Sequence, residues 1–252
     1  MSVGVNNRSN RNAGALADNL KTIGYALLIA ILIRIFLFQP FNIPSGSMIP
    51  TLLVGDYLFV AKYEYGFSRH SFPFSPALFS GRIWGSQPER GDVAVFKVQT
   101  EEGLVDYIKR VIGLPGDKIQ VIGGELYING NLIERVPAED YPLVSEFGSV
   151  RMAPSFYETL PNGARYRILD LQPNGRGDNT AEFNIPYGYY FMMGDNRDNS
   201  TDSRFTIGFI PEENLVGEAK FLFYSTDGSA RIWQFWKWPS ATRWDRIFAA
   251  IE

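Results

Sequence analysis

One unbroken apolar run sets the terms for the rest of the chain: Ile23-Gly24-Tyr25-Ala26-Leu27-Leu28-Ile29-Ala30-Ile31-Leu32-Ile33-Arg34-Ile35-Phe36-Leu37-Phe38, with Arg34 as its one charge. At 1.5 Å per residue it covers about 24 Å of helix, slightly short of a hydrocarbon core of about 30 Å. Arg34 lies about one turn from the outer end, where its long side chain reaches the headgroups. Such a run is a spanning anchor, a cleaved signal sequence, or a buried or interfacial helix. No small-x-small site follows it; the next residues are Gln39-Pro40-Phe41-Asn42-Ile43, which speaks against cleavage. The anchor reading divides the chain into a tail over 1–22, a transmembrane segment over 23–40 and an extracytoplasmic body over 41–252. Arg8, Arg11 and Lys21 precede the run against the one acid Asp18, whereas Asp56 is met before Lys62 downstream. The positive-inside rule therefore puts the amino terminus in the cytoplasm and the body across the membrane.

Several chemistries are excluded for that body. With no cysteine, it has no disulfide, no thiolate nucleophile and no Cys-based zinc site. A single histidine, His70, rules out a multi-imidazole zinc site within one chain and leaves any Ser-His mechanism dependent on that residue. Its setting, Phe67-Ser68-Arg69-His70-Ser71-Phe72-Pro73, reads as a surface loop without catalytic importance. A net charge of −3 without a long basic run gives no basis for nucleic-acid binding. We expect no cofactor and no metal.

The body reads as β-rich. Strands are predicted over 57–63, 92–98, 104–112, 118–122, 165–169, 187–193 and 217–224, and the Asn129-Gly130 turn marks a hairpin over 125–133. Residues 66–90 and 137–164, rich in Pro, Ser, Gly and aromatics, read as loops. An antiparallel sheet body on one helical stalk follows. Trp233, Trp236, Trp238 and Trp244 crowd the end of the chain beside the basic residues Lys237, Arg243 and Arg246. That composition suits a lipid interface and equally a closing strand and helix packed on the core.

Three segments carry candidate chemistry. Pro44-Ser45-Gly46-Ser47-Met48, just after the apolar run, is a turn with two hydroxyls and exposed N–H groups, although such composition is ordinary in loops. A serine needs a base, and Lys109 interrupts the apolar strand Val105-Asp106-Tyr107-Ile108-Lys109-Arg110-Val111-Ile112. Period-2 alternation groups Tyr107, Lys109 and Val111 on one face. Desolvation there lowers a lysine pKa; going from ~10.4 to ~7 costs roughly 4 to 5 kcal/mol, and the neutral amine can then act as a base. From the strand alone, Lys109 and Arg110 are equally two charged positions on an edge. The third segment, Gly194-Asp195-Asn196-Arg197-Asp198-Asn199-Ser200-Thr201-Asp202-Ser203-Arg204, is too polar for a strand or helix face and must satisfy itself or build a site. It lacks the spacing of an EF-hand loop and carries two arginines.

Taken together, these segments resemble the bacterial type I signal peptidases, serine proteases with a Ser/Lys dyad. The stretch from Phe41 to Leu52 is similar to the family's serine box, Gly55-Asp56 follows it, and Arg90 to Phe96 is similar to a central strand motif. Tyr107 to Asp117 looks like the lysine box, and Gly194 to Arg204 like the last box. The resemblance implies a mainly β fold: an antiparallel catalytic core with an inserted second β-domain over 118–186 and one N-terminal transmembrane helix. It implies Ser47 as nucleophile, Lys109 as general base, and Ser45 with the Ser47 N–H as oxyanion hole. Ser200 would orient the amine, with Asp195, Asp202 and Arg204 shaping the loop. Phe41, Ile43, Pro44, Met48, Leu52, Tyr107 and Ile108 would line S1 and S3 pockets that take small side chains, hence Ala-x-Ala before the cut. The implied partners are exported preproteins and membrane lipid, at the periplasmic face of a bacterial cytoplasmic membrane. The SOS-type repressors share the Ser-Lys pair but carry a DNA-binding amino terminus. A silent, tethered binding domain would have no use for Ser45, Ser47 and Lys109 together.

Overall fold

Helix α1 (Arg8–Phe36) carries the apolar run, and its segment Asp18–Phe36, 19 residues, is long and apolar enough to cross a membrane. None of that segment is buried in the protein. At 1.5 Å per residue it spans about 28 Å, close to a hydrocarbon core. The structure, a computed structural model, describes residues 8–72, 75–76, 80–144, 149–231 and 233–251. The helix stops short of the expected 40: strand β1 (Phe38–Asn42) begins two residues later and pairs with the body, because Pro40 cannot continue a helix.

The body is built on a seven-stranded sheet. Its first members after β1 are β2 (Asp56–Ala61), β3 (Val93–Thr100) and β4 (Gly103–Gly113). Nine short strands follow: β5 (Lys118–Ile122), β6 (Glu125–Ile128), β7 (Asn131–Leu132), β8 (Glu134–Pro137), β9 (Tyr141–Val144), β10 (Val150–Ala153), β11 (Ser155–Thr159), β12 (Arg165–Leu169) and β13 (Phe183–Asn184). The chain then returns through β14 (Tyr189–Met193), β15 (Ile210–Pro211) and β16 (Leu215–Ser225). The main sheet runs β1-β2-β16-β3-β4-β14-β15, with every pairing in it antiparallel.

Everything from β5 to β13 is inserted between β4 and β14, which are neighbours in the main sheet. The insert forms sheets ordered β13-β5-β6-β7 and β12-β11-β8 and the ribbon β10-β9. Its hairpin turns at Asn129 and Gly130 with φ of 54° and 77°, the left-handed pair that a two-residue turn requires. The insert does not have a core to itself. Ile119, Val121, Leu126, Ile128 and Ile168 pack in one cluster with Ile112 of β4 and Phe191 and Met193 of β14. Each such buried side chain contributes about 1.5–3 kcal/mol, so the insert braces the two strands that bracket it.

Two expectations need correction. Residues 137–164 are not a loop: β9, β10 and β11 lie there, with 145–148 outside the described residues. Pro142 concealed β9, yet in a two-stranded ribbon each strand keeps a free edge, where a missing N–H is tolerated. His70 is not on the surface. It is 2 % exposed, in a turn (Arg69–Ser71) that Ser68 and Ser71 close by reciprocal side-chain-to-backbone hydrogen bonds. Loop composition carries no information about what covers the loop, and here the cover comes from distant parts of the chain.

The carboxyl-terminal stretch divides by side-chain type. Arg246 pairs with the fully buried Asp56 at 2.5 Å, Arg243 lies 3.7 Å from the same carboxylate, and Ala249 and Ile251 pack on the core. Trp233, Trp236, Trp244 and Phe248 remain well exposed.

Candidate active site

The serine turn is held from both ends. Upstream, Phe41 and Asn42 belong to β1; downstream, Met48 and Leu52 are fully buried and the Leu52 N–H donates to the Met48 carbonyl at 2.9 Å. Asp56 reaches back to accept from Leu53 N–H at 2.8 Å. Between these anchors stands Ser47, 8 % exposed, whose N–H meets no protein acceptor among the described residues.

Lys109 arrives from β4. In register, Ala94 of β3 faces Lys109 and Val95 faces Ile108, so a long, apolar hairpin delivers the side chain. Lys109 is 3 % exposed, and its Nζ lies 2.7 Å from Ser47 Oγ and 2.9 Å from the Ile108 carbonyl. Burial pushes the Lys109 pKa down from 10.5 to about 8, against the opposing pull of Asp202 and Asp195. A neutral amine in hydrogen-bonding reach of a hydroxyl is equipped to take its proton.

The polar loop 194–204 supports this pair from beneath. Asp195 forks onto Arg110, with Nε to Oδ1 at 2.9 Å and Nη2 to Oδ2 at 2.7 Å, and also accepts from Thr51 Oγ1 at 2.5 Å. Asp202 pairs with Arg204, Nε to Oδ1 at 3.0 Å and Nη2 to Oδ2 at 2.9 Å, and accepts from Gly194 N–H. Burial would raise the Asp202 pKa, but Arg204 and these hydrogen bonds outweigh it and hold the carboxyl below its usual range. Gly194 is required by close approach: a Cβ there would lie 2.3 Å from Ser200 Oγ and 2.5 Å from the Ser47 carbonyl oxygen.

An apolar-walled cleft of about 520 Å³ opens over Ser47 and Lys109. Of the positions the sequence pointed to, Phe41, Ile43, Pro44, Ser45, Tyr107 and Ile108 line it. Met48 and Leu52 do not; they lie beneath it in a cluster with Ile43, Leu58 and Val95. Ser45 Oγ stands 3.5 Å from Ser47 Oγ on the exposed side. Ser200 is buried beside Gly194, and the amine of Lys109 bonds to Ser47 and Ile108 rather than to Ser200.

Sequence reasoning missed Asn196, whose side-chain amide donates to the Gly46 carbonyl at 3.0 Å while its backbone N–H donates to the Ser47 carbonyl at 3.1 Å. It also missed Thr51, and Asn199 and Thr201 on the cleft wall. An uncharged amide or hydroxyl among acids and arginines was the available signal, but what it bonds is decided across some 150 residues of chain.

The family described as signal peptidase, peptidase S26, matches residues 16–224, and the chain belongs to that family of peptidases. It is 46 % identical over 230 residues to the signal peptidase I of Rickettsia conorii (strain ATCC VR-613 / Malish 7), covering 88 % of this chain and 84 % of that protein. Against the signal peptidase I of Rickettsia prowazekii (strain Madrid E) the identity is 43 % over 229 residues, covering 87 % and 85 %. A crystal structure of a signal peptidase I from Enterococcus faecalis V583 matches at 26 % identity and a TM-score of 0.31, over 53 % of this chain and 97 % of that one.

Proposed function

We propose that this chain is a membrane-anchored endopeptidase that removes N-terminal signal peptides from exported preproteins after small residues, with Ser47 as nucleophile and Lys109 as general base. The contact of 2.7 Å between Lys109 Nζ and Ser47 Oγ, at the floor of an apolar cleft, carries this reading. Neutral Lys109 takes the Ser47 proton as Oγ attacks the scissile carbonyl. The oxyanion falls to the unpartnered Ser47 N–H and the Ser45 hydroxyl, each such donor being worth roughly 2.7–4 kcal/mol. Protonated Lys109 then gives its proton to the leaving amine, and a water activated by the same amine resolves the acyl-enzyme.

The substrate would be added as an extended strand. β14 pairs with β4 only over Arg110–Gly113, which leaves the edge of β4 ahead of Lys109 free beside the cleft. The narrow wall made by Ile43, Tyr107 and Ile108 favours alanine-sized side chains next to the cut. Asp195, Asp202 and Arg204 hold the floor, and Ser200 supports it from behind Gly194. The chain uses α1 as its anchor, with the basic flank (Arg8, Arg11, Lys21) in the cytoplasm and residues from 41 onward on the periplasmic face of the cytoplasmic membrane. The test is cleavage of a preprotein with an Ala-x-Ala site by full-length protein in detergent, wild type beside Ser47→Ala and Lys109→Met. Both variants should lose turnover, and undiminished cleavage by either ends the mechanism.

A further inference from the structure

A second cavity, of about 310 Å³, opens where α1 meets the sheet, lined by Arg34, Gln39, Lys62, His70, Lys97 and Leu104 among others. Its walls carry an excess of unmatched donors. Lys97 is balanced by Asp106 at 2.8 Å, but among the described residues neither Arg34 nor Lys62 has a carboxylate within ion-pair distance. Lys62 is 2 % exposed and spends one ammonium proton on the Ser71 carbonyl at 2.6 Å, leaving two without a protein acceptor. His70 accepts from Arg69 Nε through Nε2 at 3.1 Å, so its own proton resides on Nδ1, which is buried and has no partner.

Buried donors without acceptors are costly, and the two residues that carry them here, Lys62 and His70, line the same hollow, with the exposed Arg34 at its wall. Other charges near His70 are Arg69, Arg82 and Glu213, a single acid that does not alter the balance. Burial, then Arg34 and Lys97, push the Lys62 pKa down to about 8, with Asp106 pulling the other way. The site also has a definite depth. Arg34 lies in the last turn of the membrane-length segment of α1, so the hollow sits where headgroups would be. Its volume is roughly ten times the share of one water molecule in the liquid, room for a phosphodiester and part of its glycerol.

We infer that this hollow is a phosphate site, filled by the phosphodiester of a phospholipid headgroup at the foot of the helix, with Arg34, Lys62 and the Nδ1–H of His70 as donors. It shares the membrane-anchored reading of α1 but needs neither Ser47 nor Lys109. The experiment is native mass spectrometry of the full-length protein in an uncharged detergent, offered phosphatidylglycerol, a phosphate-free galactolipid, or inorganic phosphate alone. Wild type should retain one phosphatidylglycerol, with affinity at least tenfold above that for the galactolipid. Arg34→Gln and His70→Asn should each weaken retention at least tenfold. Arg34 is exposed and bonds to no described group, so its replacement does not threaten the fold and keeps the question decidable even should the variant of the buried His70 fail to fold. Equal retention by wild type and Arg34→Gln, or of both lipids, overturns the site. Inorganic phosphate competing at equal concentration overturns the lipid as its occupant. A chain that floats with vesicles of either lipid yet shows no preference keeps the anchor and loses the site.

Discussion

Two lysines in this body are almost equally buried, Lys62 at 2 % exposure and Lys109 at 3 %, and both have pKa values pushed from 10.5 down to about 8. Each also donates to a backbone carbonyl. Their surroundings are opposite. Around Lys109 the nearby charges are Asp202 and Asp195, which oppose the effect of burial; around Lys62 they are chiefly Arg34 and Lys97, which add to it. Only Lys109 has a hydroxyl at 2.7 Å. A depressed lysine is therefore not in itself a base. The group within reach decides whether the uncharged amine removes a proton or an ammonium waits for an anion.

The largest effect that would break this contrast is on turnover. Lys109→Met should lower kcat at least 10⁴-fold in the preprotein assay, the scale of losing one member of a catalytic unit, whereas Lys62→Met should leave it within threefold. Equal losses would make burial, not the hydroxyl, the relevant difference. Next comes the anionic setting of Lys109. Asp195→Asn leaves the fully buried Arg110 without its forked partner and should cost about 3–5 kcal/mol in denaturant unfolding.

Smaller again is the effect of Lys62 on stability. Because its folded pKa lies below its unfolded one, the unfolded chain binds the extra proton between about pH 8 and 10.5, and stability rises with pH across that window. Lys62→Met should accordingly stabilise lipid-free protein by about 1–3 kcal/mol at pH 7, the advantage fading toward pH 10.5. The last measurement is the pH profile of kcat/KM. It should rise about tenfold per unit up to about pH 8 and level off above, since only neutral Lys109 accepts a proton. The same profile in Lys62→Met sharpens the contrast; a flat one between pH 6 and 9 removes Lys109 as base.

Much of this was legible in the chain itself, where local chemistry and local structure agree. The strand carrying Lys109, the Asn-Gly hairpin and the polar loop 194–204 announce themselves by alternation, turn chemistry and the absence of apolar side chains. What stayed hidden depends on distant contacts. The resemblance implies Met48 and Leu52 as pocket residues, but packing in a cluster with Leu58, Val60 and Val95 leaves them no exposed surface. Asn196 is one amide in a polar loop until the serine turn is laid against it. His70 reads as loop because its turn packs against β16 and the turn Glu212–Asn214, neither of which is near it in the sequence.

Asp56 ties these scales together. The carboxylate caps Leu53 just below the serine turn, and Arg246, which also donates to the Thr51 carbonyl at 3.0 Å, closes on it from the far end of the chain. Arg243 and Arg246 thus act as a clasp on the footing of the serine turn. Clipping the protein after Ala241 would spare Ser47, Lys109 and the cleft lining, yet strand a buried negative charge beneath Ser47 and loosen the aim of its hydroxyl.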